Sequence, residues 1–169
     1  NKLPVIGIEP SCLLTFNDEF KTMKNIFNKD QIKNTFYLLE EFVLHQITLG
    51  NKVSTNTFSQ KVLVHGHCHQ KAQNKFTPLL QLLKKLNIKY KPIESSCCGM
   101  AGSFGYDSEY YEYSKKMAHL SLIPTLKNEI VKDEIIVANG ISCRQQIFDF
   151  SNKKAKHVSE LLFKIFEKI

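Results

Sequence analysis

Two adjacent cysteines followed by glycines form the most chemically distinctive stretch of this sequence. Cys97 and Cys98 lie in the segment SSCCGMAGSFG, where Gly99, Gly102 and Gly105 follow them. Thiolates are nucleophiles and metal ligands, and glycines let backbone N–H groups approach a bound group closely because no Cβ intervenes. The stretch therefore predicts a metal or redox centre, with Gly99 and Gly102 as its backbone contacts.

The other three cysteines follow predicted strands in the same way. Cys12, Cys68 and Cys143 each come shortly after a short apolar run, as do Cys97 and Cys98. The carboxyl ends of parallel strands meet at one edge of a sheet, so we expect all the thiols to converge there. Five thiolates exceed what one tetrahedral zinc ion accepts, whereas an iron–sulfur cluster can use several. The predicted ligands of such a cluster are Cys68, Cys97, Cys98 and Cys143, with Cys12 as a further candidate.

Two other interpretations of the same residues remain open. Zinc could bind a subset of the cysteines together with His67, which precedes Cys68 in the segment HGHCHQK. A thiol–disulfide redox site without metal is the third interpretation. We expect the rings of His65 and His69 to orient cysteine ligands rather than to bind metal themselves. Cys12 taken alone fits a buried core position equally well.

Apolar runs and helical periodicities alternate along the chain, which predicts an α/β fold. We expect a mainly parallel sheet flanked by helices in Rossmann-like layers, with the cysteine loops at the carboxyl edge. The predicted strands are Leu3–Ile8, expected to be buried, Lys61–Val64, Ile88–Ile93 and Glu134–Ala138. The predicted helical segments are Leu13–Phe20 (helix or loop), Thr35–Leu49, Phe76–Leu86, Glu109–Leu126, Ile141–Phe150 and His157–Ile169. Pro124 should kink or end the fourth of these.

Composition narrows the class of protein. The chain has 169 residues, 43% of them hydrophobic, which suits one domain with its own core. No apolar run approaches the roughly 20 residues that a membrane span needs. The net charge is +7, but the lysines are scattered and Arg144 is the only arginine, so we expect no nucleic-acid partner. An odd number of cysteines fits reduced thiols, and hence a cytoplasmic protein, better than a disulfide set.

Four motifs resemble one family of cysteine-rich domains. They are HGHCHQK, SSCCGMAGSFGY, ANGISCRQQI and KHVSELL. They resemble the CCG domain, which occurs in heterodisulfide reductase, in the iron–sulfur subunits of glycolate and lactate oxidases, and in anaerobic glycerol-3-phosphate dehydrogenase. The similarity is strongest to the C-terminal region of fused FAD-linked oxidases with iron–sulfur domains, the D-lactate and D-2-hydroxyacid dehydrogenases.

The resemblance also suggests a domain organisation. The CCG unit usually occurs twice in these proteins, and the segment GIEPSC resembles the end of a first unit. Residues 1–20 would then be the tail of a preceding unit, and residues 60–169 a complete one. Because the chain opens on Asn1 next to a predicted strand, we expect residues 1–169 to be a single CCG-type domain cut from the C-terminal part of a longer protein.

The resemblance implies an iron–sulfur electron-transfer domain of an FAD-linked 2-hydroxyacid dehydrogenase, without catalytic residues of its own. FAD and ferredoxin-type clusters would belong to upstream domains or subunits. Quinone is a candidate acceptor, and the location would be cytoplasmic or peripheral at the inner membrane. The expected cofactor is a 4Fe–4S cluster, with cubane and non-cubane forms both open. The heterodisulfide reductase pattern ends in C-x-x-C, whereas Arg144–Gln146 follow Cys143 here, so Cys12 is the candidate for the missing ligand.

Overall fold

The computed structural model describes residues 3–23, 35–129 and 134–166. The strands in these ranges are β1 (Val5–Gly7), β2 (Phe36–Leu38), β3 (Val62–His65), β4 (Tyr90–Pro92) and β5 (Ile135–Ala138). The helices are α1 (Pro10–Asn17), α2 (Glu19–Thr22), α3 (Leu39–Thr48), α4 (Cys68–Ala72), α5 (Thr77–Lys85), α6 (Tyr111–Leu120), α7 (Leu122–Glu129), α8 (Ile141–Ser151) and α9 (Val158–Ile165), with a 3₁₀ turn at Phe104–Tyr106. Parallel sheets flanked by helices confirm the predicted α/β class. None of the described helices is both long and apolar enough to cross a membrane.

The main sheet is parallel and has the strand order β4-β3-β5. All four side chains of β3 are buried, as expected of a central strand with helices on both faces. The chain passes from β3 to β4 on one side and then crosses to β5 on the other. The carboxyl end of β3 is therefore a topological switch point, where α/β folds place their ligands.

Alternating side chains of β3 face two different hydrophobic clusters. Val62 and Val64 pack with the leucines of α5 and the apolar face of α9. Leu63 packs on the opposite face with Ile123 of α7 and Ile147 of α8. Burying each such side chain contributes about 1.5–3 kcal/mol. The central strand is thereby fixed from both sides, and so is the position of the loop that follows it.

The first predicted strand differs from expectation. β1 covers only Val5–Gly7 and pairs with β2 in a separate two-stranded parallel sheet. The prediction that this segment is buried is wrong, since Leu3 is 82% exposed and Ile8 60% exposed. The reason is that a small cluster of Leu13, Leu14 and Leu38 packs there, which is too little to cover both faces of this sheet.

Two predicted helices are divided in the structure. The segment Thr35–Leu49 begins as β2 and becomes α3 at Leu39. The segment Glu109–Leu126 breaks at Ser121 into α6 and α7. This break confirms the prediction that Pro124 would kink or end the helix. Pro124 lacks the N–H that would bond the Leu120 carbonyl, and its ring would crowd that oxygen. Residues 167–169 of the last predicted helix lie outside the described residues.

Candidate metal centre

Four of the five cysteines lie at one edge of the main sheet. Cys68 is the first residue of α4 after β3, Cys97 and Cys98 lie in the loop after β4, and Cys143 lies in the first turn of α8 after β5. Cys68, Cys97 and Cys98 line a cavity of about 700 Å³. The parallel strands thus bring these four thiols together at the predicted edge.

The four thiols form a continuous chain of contacts. Hydrogen bonding from Cys68 lowers the pKa of Cys97, and hydrogen bonding from Cys98 lowers the pKa of Cys143. The pKa values of the two donors, Cys68 and Cys98, are raised. Hydrogen bonding is the larger cause of this rise, and burial adds to it. Four thiols this close cannot all ionise unless a cation compensates their charge, which is the electrostatic condition of a metal-binding site.

The glycine after the cysteine pair makes a close backbone approach to sulfur. Gly99 has φ +95°, and its N–H donates to Cys97 Sγ at 3.3 Å. A Cβ at this position would collide with the Ser114 carbonyl oxygen of α6. Gly102 also has a positive φ of +69° and lines the cavity. A backbone N–H aimed at a ligand sulfur is the kind of contact that tunes an iron–sulfur centre.

Lys71 of α4 holds the loop that carries the cysteine pair. Its Nζ donates to the carbonyl oxygen of Ser95 and, at 3.0 Å, to that of Ser96. Burial lowers the pKa of Lys71, and the nearby thiolates, Cys143 first among them, oppose that shift. Sequence reasoning missed this residue, because it sits 24 positions from Ser95 and no local pattern marks the contact.

The three histidines around Cys68 have different positions. His65 is only 1% exposed, and its ring nitrogen lies within 4.8 Å of the sulfurs of Cys98 and Cys143. The His67 Nδ1 accepts from the His69 N–H at 3.2 Å and so caps the start of α4. His69 is half-buried and lines the cavity. His65 thus faces the buried thiols of Cys98 and Cys143, and His67, the one histidine that sequence reasoning left open as a ligand, lines the cavity with its Nδ1 4.0 Å from Cys68 Sγ.

Cys12 is not brought into this group. It is exposed on α1, and it is not among the described residues that line the cavity. The physical reason is that β1 belongs to the other sheet, so its carboxyl end does not share the edge used by β3, β4 and β5. The neighbouring Ser11 lines the cavity instead.

A buried polar network lies beneath the cysteine loops. Glu40 of α3 accepts hydrogen bonds at one carboxylate oxygen from Gln70 (2.6 Å) and from Asn139 (2.8 Å). Gln70 in turn accepts from the His67 N–H at 3.1 Å, and Asn139 accepts from the Val158 N–H at 3.2 Å. No sequence pattern signals this network, since its members come from distant segments.

A family model of a cysteine-rich domain, CCG, matches residues 62–148, which run from β3 into α8 and contain the four clustered cysteines. One of the subunits of anaerobic glycerol-3-phosphate dehydrogenase from Escherichia coli K12 is 24% identical over 162 residues, which are 95% of this chain and 40% of the relative. D-2-hydroxyglutarate dehydrogenase from Pantoea ananatis is 27% identical over 165 residues, which are 96% of this chain and 16% of the relative. The chain thus spans less than half the length of either relative. No solved structure matches significantly. Because the family match covers more than half of its residues, the chain belongs to the CCG family of cysteine-rich domains.

Proposed function

We propose that this chain is an iron–sulfur electron-transfer domain in which Cys68, Cys97, Cys98 and Cys143 bind the cluster. The observation that carries the proposal is geometric: Cys68, Cys97 and Cys98 line one cavity at the carboxyl edge of three adjacent parallel strands, and the sulfurs of Cys98 and Cys143 lie within 4.8 Å of each other. Thiolate sets favour soft metals and hold iron–sulfur clusters. When bound, such a cluster would supply one-electron redox chemistry, and the chain would hold it in place and exclude solvent from Cys98 and Cys143, which are buried.

The donor set fits this cofactor better than it fits a single zinc ion. A zinc site would use one compact set of ligands, and His65, Cys98 and Cys143 form such a set, with ligand atoms within 4.8 Å of one another. This makes a structural zinc site the second candidate. It would, however, leave the low-pKa thiol of Cys97 and its donor Cys68 without a metal partner.

The proposed role is a relay within a larger dehydrogenase. Both relatives are dehydrogenases by name, and both are much longer than this chain. FAD and the substrate would therefore bind in other domains or subunits, as would ferredoxin-type clusters. The motif resemblance and the D-2-hydroxyglutarate dehydrogenase relative support a 2-hydroxyacid as the substrate of the parent enzyme. The glycerol-3-phosphate dehydrogenase relative supports the broader class of substrates with a secondary alcohol.

Three further assignments belong to this proposal. Residues 60–169 would form a complete CCG unit and residues 1–20 the end of a preceding one, which is supported by the pairing of β1 outside the main sheet. The five cysteines are free thiols, which supports a reducing, cytoplasmic location. Quinone is the candidate electron acceptor.

The test separates electron transfer from substrate chemistry. Cys98→Ser in the full-length parent enzyme should leave flavin reduction by the substrate intact and abolish electron delivery to a cluster-dependent acceptor. Cys12→Ser is the matched control and should leave both steps unchanged. Loss of flavin reduction in a folded Cys98→Ser variant would show that this domain takes part in substrate chemistry. Retention of both steps would favour the structural zinc site.

A further inference from the structure

We propose that His65 is a direct ligand of the metal centre, bound through Nε2 beside Cys98 and Cys143. This inference rests on the proposed function, since it places a metal in the same site. It changes the ligand set from thiols alone to thiols with one imidazole, and it concerns a residue that the sequence interpretation assigned to an orienting role.

The first observation is an unpaired buried nitrogen. His65 lies at the end of β3 and is 1% exposed, and its Nε2 is one of two buried side-chain polar atoms without a well-formed hydrogen bond among the described residues; its candidate partner there is the thiol of Cys143. A buried polar atom without a partner destabilises the folded state. A metal ion at this position would satisfy it.

The second observation is the direction in which the ring faces. Side chains alternate along a strand, so His65 shares the face of Leu63, whose cluster contains both Cys98 and Cys143. The His65 ring nitrogen and the two sulfurs lie within 4.8 Å of one another. All three ligand atoms therefore face the same small space, where the proposed metal centre would meet the imidazole as well as the two thiols.

The third observation is the partner of the other ring nitrogen. His65 Nδ1 lies 3.0 Å from Ser95 Oγ. When Nδ1–H donates to this hydroxyl, the lone pair of Nε2 is left free for a metal, and this is how histidine ligands are usually oriented. Lys71 holds the backbone of Ser95, so the ring is positioned before any metal binds.

A neutral imidazole has a specific consequence for redox chemistry. It leaves the centre less negative than a thiolate in the same position would, and replacing cysteine by histidine raises the reduction potential of iron–sulfur centres. His65→Cys should therefore retain the cluster and shift its midpoint potential to a more negative value. An unchanged potential in a variant with the wild-type iron content would contradict the inference.

The direct test is pulsed electron paramagnetic resonance on the full chain, made with isotopically labelled histidine, reconstituted anaerobically with iron and sulfide, and then reduced with dithionite to a paramagnetic state. We expect strong hyperfine coupling from one coordinated imidazole nitrogen. The coupling should disappear in His65→Asn and survive in the matched control His69→Asn, which alters a histidine on the wall of the same cavity. If His65→Asn does not fold, coupling that survives in both His67→Asn and His69→Asn assigns it to His65, because these are the other histidines beside Cys68.

The outcomes distinguish this inference from the proposed function. A wild-type chain with a full complement of iron but without strong imidazole coupling would overturn the role of His65 and leave the iron–sulfur assignment standing. Coupling that persists in a folded His65→Asn variant would do the same. A wild-type chain that binds no iron would overturn the proposed function and this inference together.

Discussion

The buried carboxylate of Glu40 accepts a 2.8 Å hydrogen bond from the side chain of Asn139, a residue 99 positions away in the sequence. The same carboxylate oxygen accepts from Gln70 at 2.6 Å. Gln70 belongs to the helix that begins with Cys68, and Asn139 lies between β5 and Cys143. One carboxylate oxygen of α3 therefore links the two chain segments that carry Cys68 and Cys143.

Removal of this carboxylate should destabilise the chain and weaken metal binding. Glu40→Ala leaves the buried amides of Gln70 and Asn139 without their acceptor, at about 1–3 kcal/mol for each donor. Glu40→Gln keeps an oxygen that can accept both hydrogen bonds, so it should lose much less stability than Glu40→Ala. Urea unfolding of the two variants measures the difference. Equal stabilities would show that Glu40 does not hold the loops together.

Glu40 should also make stability depend on pH. Burial raises its pKa from 4.5 to about 7, with Glu41 adding to the shift. The folded state therefore holds the proton more tightly than the unfolded state. The stability from this group is fully present below pH 4.5 and is lost as the pH rises to about 7. The loss should be about 3 kcal/mol.

Glu40→Gln is the control for this titration, because it removes the ionisable group and retains the acceptor. Burial lowers the pKa values of His67 and His157, so these two histidines make stability rise with pH. This contribution is the same in wild type and in Glu40→Gln, and it cancels when the two stabilities are subtracted. The stability of wild type relative to Glu40→Gln should fall across the interval from pH 4.5 to about 7. A constant difference over that interval would contradict the prediction.

Gly99→Ala should be more destabilising than the same change at Gly50. Both glycines have nearly the same φ, +95° and +93°, where a non-glycine residue costs roughly 1–2 kcal/mol. A Cβ at Gly50 meets no atom within 4 Å, whereas one at Gly99 collides with the Ser114 carbonyl oxygen. Such overpacking adds about 1–3 kcal/mol. The difference in thermal stability between the two variants measures the cost of the collision. Similar losses of stability would mean that the Gly99 loop can move away from α6.

Cys97 should be the first thiol of the metal-free chain to be alkylated, because it combines a lowered pKa with partial exposure. It is half-buried at the cavity, and hydrogen bonds from Cys68 and then Cys98 lower its pKa. Alkylation at mildly acidic pH, followed by mass spectrometry, should modify Cys97 before the exposed Cys12. Cys68→Ala removes the first donor and should slow the modification of Cys97. Faster modification of Cys12 in the wild-type chain would show that the thiol chain does not stabilise a thiolate.

The clustering of four cysteines was predictable from sequence, because it depends on the order of the strands along the chain. Short apolar runs marked β3, β4 and β5, and parallel strands bring the cysteines after them to one edge. Cys12 followed a similar run, but membership of a sheet depends on pairing, and β1 pairs with β2 through contacts that no local pattern encodes. His65 lies two residues after Leu63 on β3, so the alternation of side chains along a strand could have predicted that both point to the same face of the sheet. The contacts of Lys71 and Glu40 had no such signal, because their partners are distant in sequence.

The most direct test of the central claim is the content of iron, acid-labile sulfide and zinc per chain in anaerobically prepared protein. The four-thiol site predicts several irons with matching sulfide and the visible absorption of an iron–sulfur cluster. Cys98→Ser should lose this content, and Cys12→Ser should keep it. One zinc per chain without sulfide, or a wild-type chain that binds no metal after reconstitution, would contradict the account.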